Sequence, residues 1–203
     1  MKKLLLILLC VPMIGLTQKD YDLDESFENT YKIEFKGFSI EIEGVSDSPI
    51  FDNGSKVREK DTVKFEIMDY GVENRHVRIS ECELKNLNIQ MAYEKKYIFS
   101  WGDGKHREYK IDYIPEYRLL DSLSGNIFKT LSYTSSEIQS SNLTIYKLIE
   151  MMRSDGLDEV LMNTRISEVN SVHIGSYILK ISGVDIYDNP YSKVLIFNMV
   201  FGC

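Results

Sequence analysis

The residues best suited to chemistry lie in one stretch, Tyr97 to Tyr113. A strand-like run ends at Trp101, and Gly102-Asp103-Gly104-Lys105-His106-Arg107-Glu108 follows before alternation resumes. His106 can serve as acid, base or metal ligand near neutral pH. Asp103 is within local reach, and the indole of Trp101 offers a stacking surface for a sugar or a partner. Trp101, Asp103 and His106 are therefore the candidate binding residues. The plainer reading, and the favoured one, is a solvated tip above a core tryptophan, because loops are polar for reasons unrelated to catalysis.

Turn length separates two geometries for this stretch. A two-residue turn at Asp103-Gly104 would set Trp101 against His106 and Phe99 against Glu108. Directly opposed residues share a face, so aromatic side chains would meet charged ones. An odd-length loop centred near Gly104 or Lys105 aligns Phe99 with Tyr109 or Ile111 instead. The spacing therefore predicts a longer, charge-dense tip.

The other histidines are His76, among Glu73, Arg75 and Arg78, and His173, between Val172 and Ile174. A surface position suits the first and a hydrogen-bonded structural role the second. Asp155, Asp158 and Glu159 cluster but lack the D-x-D-x-D-G series of a calcium loop. They read more simply as acids favouring the start of a helical turn. No H-E-x-x-H or C-x-x-C pair and no G-x-S-x-G elbow occurs. Gly102-x-Gly104 lacks the third glycine and following helix of a phosphate cradle. The sequence thus offers no metal site, no cofactor motif and no catalytic set.

The N-terminus carries an export pattern. Lys2 and Lys3 precede an apolar run from Leu4 to Val11, extended by Pro12, Met13 and Ile14. Gly15-Leu16-Thr17 places small residues for a cut after Thr17. The run is shorter than the roughly 20 apolar residues of a membrane-spanning helix, and no later segment matches it. The mature chain is therefore expected to carry no transmembrane segment. Cys10 follows Leu9 rather than a small residue, so lipoprotein anchoring is not the expected outcome.

Removal of the leader would leave 186 of the 203 residues, with 22 basic against 31 acidic side chains and a net charge of −9. An acidic surface repels phosphate backbones, which argues against nucleic acid as a partner. Cys82 and Cys203 would remain. Two thiols in an oxidising compartment can pair, and a loop of this size is worth on the order of 4–5 kcal/mol in the chain-entropy model. The alternative is two thiols too far apart to bond.

The elements follow from hydrophobic period. Residues 18–30 are acidic and read as a loose arm. Tyr31, Ile33 and Phe35 alternate, then Phe38, Ile40 and Ile42 with opposite phase, so Gly37 must lie in a bulge or a turn. Further period-two runs cover 63–67, 77–79, 87–93, 97–101, 109–113 and 177–186, the last with its phase flipped at Gly183, while 194–201 is apolar on both faces apart from Asn198 and reads as a central strand. Ile145, Leu148, Ile149 and Met152 fall on one face of a helix, with Gly156 at its C-terminal end. The order predicts a single α+β domain over 31–203: a mostly antiparallel sheet with one clear helix, about 143–153, packed on it.

The functional expectation is an exported binding or interaction domain, in the periplasm or outside the cell, with a protein or small-molecule partner. A secreted hydrolase built around His106 or His173 is the alternative, and an envelope structural or assembly protein a third. The chain holds 13 tyrosines. On an exposed face they would form a binding surface, and alternating inward they would be core.

Overall fold

The computed structural model describes residues 27–28, 30–46, 61–68, 71–101, 105–110, 114–139, 145–157 and 172–200. Eleven strands fall within them: β1 Ile33–Phe35, β2 Phe38–Ile42, β3 Thr62–Met68, β4 His76–Ser80, β5 Lys85–Trp101 and β6 Lys105–Lys110, then β7 Arg118–Leu119, β8 Ser122–Ser124, β9 Ile127–Lys129, β10 Val172–Val184 and β11 Pro190–Val200. The helices are α1 Ser135–Gln139 and α2 Ile145–Ser154.

The strands form two sheets, one of which is a half-barrel. The first has the order β1-β2-β4-β9-β8, and the second β3-β11-β10-β5-β6, with β7 also on β5. One continuous core lies between them. Phe38, Ile40, Ile42, Val77 and Ile79 of the first sheet belong to the same buried cluster as Val63, Phe65, Met91, Leu179, Leu195 and Phe197 of the second.

The expected α+β layering is therefore corrected. The chain is 56% strand and 9% helical, and a second sheet, not a helix, covers the first. The reason is that alternation marks a strand's apolar face but does not say what covers it. A helix does form at Ile145–Ser154, closed by Gly156 at φ +74°. Leu157 N–H donates to the Met152 carbonyl and Gly156 N–H to that of Arg153, the paired bonds of a Schellman ending. The other helix, α1, is tied to the second sheet: its Glu137 carbonyl accepts bonds from Tyr93 and Lys95 of β5. The strand pairing is mostly antiparallel, as expected, with β3 parallel to β11.

Two glycine readings hold in detail. Phe35 pairs directly with Phe38, so Lys36 and Gly37, the latter at φ +90°, form the tight turn that inverts the phase. Gly183 sits in a register shift between β10 and β5, where an added Cβ would lie 2.9 Å from the Lys85 carbonyl oxygen. Within the expected acidic arm, Phe27 is buried beneath the Arg78 guanidinium, 4.3 Å from its ring centre. Residues 18–26 lie outside the described residues, as does the whole leader.

Candidate functional site

In the β5–β6 hairpin, Trp101 pairs with Lys105, Ser100 with His106 and Tyr97 with Tyr109. The loop is odd in length, as expected, but centred on Asp103, and Phe99 meets Arg107. Trp101 and His106 are thus not ladder partners. Asp103 and the side chains of Trp101 and His106 lie outside the described residues.

Cys82 is a free, exposed thiol. Cys203, its possible partner, lies outside the described residues, and a disulfide between the two is not supported.

His76, read as a surface residue, is instead partly buried and held by one carboxylate. Glu43 Oε2 lies 2.9 Å from His76 Nδ1 and accepts from its backbone N–H at 3.0 Å. The pair fastens the end of β2 to β4. His173 pairs across strands with Lys96. Burial, and secondarily the Lys96 charge, holds its imidazole below the usual histidine range. Asp155 follows α2, while Asp158 and Glu159 lie outside the described residues; no group of metal-ligating side chains forms among the described ones. Tyr93, Tyr97, Tyr109, Tyr133 and Tyr177 are buried, so these tyrosines are core and not a surface patch.

A cavity lies on the face of the second sheet turned away from the core. It measures about 570 Å³ and takes its walls from β3, β5, β6, β10 and β11. One row of directly paired residues runs across it: Glu66 beside Asn198, Asn198 beside Ser176, and Ser176 beside Glu94. Ser176 is buried, and its hydroxyl donates to Asn198 Oδ1 at 3.2 Å. That bond ties the middle of the row and leaves a carboxylate at each end.

Lys96 closes one side. A bulge between Ile174 and Ser176 places Gly175 under the lysine stem, where an added Cβ would lie 3.1 Å from Lys96 Cγ and Cδ. The ammonium therefore crosses β10 and donates to the Met199 carbonyl at 3.3 Å, while Glu108 of β6 pairs with it at 2.9 Å. A side chain at 175 would push the stem away, so this glycine shapes the cavity wall.

The opposite face of β5 is anchored by α1. Thr134 and Glu137 form a capping box: Glu137 N–H donates to Thr134 Oγ1, and Thr134 N–H to Glu137 Oε2 at 2.8 Å. Arg118 pairs with Glu137 Oε1 at 2.6 Å. The Thr134 backbone bond, then that of Arg118, draws the Glu137 carboxyl down to about 2. Buried Lys95 donates to the Glu137 carbonyl at 2.8 Å, and its burial lowers its affinity for a proton. Tyr133 packs against Tyr93 with the rings tilted, and burial pushes its phenol well above the usual range. With Tyr93 and Lys95 tied on the core side, the intervening Glu94 and the following Lys96 are held toward the cavity.

The sequence matches no protein-family model and no curated protein. Sequence reasoning missed the cavity row, although one signal was present: Asn198 is the polar residue in the otherwise apolar run Val194 to Phe201. The T-x-x-E pattern at Thr134–Glu137 likewise announced α1.

Proposed function

We propose that this chain is an exported binding protein, acting in the periplasm or outside the cell, and that its ligand occupies the cavity on the outer face of the second sheet. The observation that carries the reading is the cavity. Its volume suits a small ligand, and its polar row is preorganised on four adjacent strands rather than on loops, which lowers the ordering cost of binding. The basic and apolar leader supports export. A hydrolase centred on His173 finds some support in the pairing of that residue with Lys96 at the cavity edge. However, the one hydrogen of the Ser176 hydroxyl is directed at Asn198 and not at an imidazole base.

Two measurements test the proposal. Expression with its own leader, followed by fractionation and N-terminal sequencing, is expected to give a periplasmic or secreted chain beginning at Gln18. A cytoplasmic chain that keeps Met1 would defeat export, and a membrane-bound chain modified at Cys10 would replace it with lipid anchoring. A screen of small fragments by amide NMR on the isotope-labelled mature chain should shift Glu94, Ser176 and Asn198. Fragments that shift only residues elsewhere would remove the cavity from consideration.

A further inference from the structure

We infer that the cavity selects a ligand bearing ammonium groups, a linear diamine or polyamine in chemical class. The inference rests on the cavity being the binding site and adds the identity of what it takes.

The argument is local charge. Three carboxylates, Glu66, Glu94 and Glu108, line the cavity with one ammonium on its outer side, that of Lys96. Lys96 is already matched by Glu108 and the Met199 carbonyl. The side chain of Lys95 is turned to the other face, where it meets Glu137. Among the other described lysine side chains of the outer face, Lys64 and Lys180 do not line the cavity. Glu66 and Glu94 thus remain as two negative charges with no ion-pair partner among the described residues.

Geometry narrows the class further. Glu66 and Glu94 stand at the two ends of the four-strand row, three strand spacings apart. At ~4.8 Å per spacing the backbones are about 14 Å apart. Between them lie an amide and a hydroxyl already bonded to each other, which present a neutral floor. A linear chain with an ammonium at each end places one charge on each carboxylate and its methylenes over that floor. Ammonium–carboxylate contacts are charge-assisted and stronger than neutral hydrogen bonds. An anionic ligand would face the same two carboxylates without compensation.

The test uses three probes of equal length on the mature chain, followed by amide NMR at low salt: octane-1,8-diamine, octane-1,8-diol and octanedioate. The diamine should shift Glu66, Glu94, Ser176 and Asn198 saturably, and the other two should not. The double variant Glu66→Gln, Glu94→Gln should bind the diamine at least tenfold more weakly. Glu34→Gln, on the exposed side of β1, should leave affinity unchanged, which separates the cavity from general attraction to an acidic surface. Raising the salt should weaken binding of the diamine. Equal binding of the diol, or tighter binding of octanedioate, would overturn the charge inference while leaving the cavity as a binding site. Silence of these amides toward every probe and fragment would overturn both.

Discussion

Two adjacent rows of the second sheet show how one set of strands serves two purposes. Phe65, Phe197, Tyr177 and Tyr93 pair side by side on the core face. Their neighbours in sequence, Glu66, Asn198, Ser176 and Glu94, pair side by side on the other. The first row is dry: Phe65 and Phe197 are fully buried, with ring centres 4.8 Å apart and planes 15° from parallel. The second row lines a cavity. Alternation along a strand fixes only that neighbours face opposite ways. Register across strands makes each set a row, so the rigid apolar row positions the polar one.

If that division is right, stability belongs to the first row and recognition to the second. Phe197→Ala should cost the most, about 3–5 kcal/mol, read from urea unfolding midpoints; a cost below 1 kcal/mol would break the comparison. Gly71→Ala comes next. Gly71 has φ +57°, and an added Cβ would lie 2.8 Å from the Tyr177 ring. Strain and displacement of that ring should cost roughly 1–3 kcal/mol by thermal or chemical unfolding. Ser176→Ala removes one hydrogen bond to Asn198 and should cost about 1 kcal/mol, with a larger effect on ligand shifts than on unfolding. Glu66→Gln should change stability by less than ~0.5 kcal/mol while reducing diamine affinity; equal losses in both would merge the two rows into one.

A pH measurement sharpens the anchoring of β5. The Glu137 carboxyl titrates near 2 in the folded chain against an ordinary 4.5. A depressed acid stabilises the fold above its unfolded value, and the contribution fades as pH falls from about 4.5 toward 2. Glu137→Gln should therefore flatten the acid limb of the unfolding curve across that window. An unchanged limb would show that the capping box and Arg118 contribute nothing there.

Much of the strand content was legible because period two is a local property. Gly37 and Gly183 could be read as phase breaks from the residues around them, and Gly156 as a helix end. What was not legible is non-local. That β3 runs parallel to β11, that a second sheet rather than a helix covers the core, and that Asn198 stands between Glu66 and Ser176 all depend on register between segments distant in sequence. The hairpin at Trp101 falls between these cases. Its odd length followed from keeping aromatic residues opposed, but its centre moved to Asp103 because Tyr97, not Phe99, aligns with Tyr109.

The parallel pairing of β3 with β11 also sets an order of events. β11 lies between β3 and β10, and its residues follow their β3 partners by about 130 positions. A growing chain holds β3 for most of its synthesis with no strand to pair against. Closing so long a connection is slow compared with forming a hairpin. The second sheet, and with it the cavity, assembles only after the last described strand has emerged.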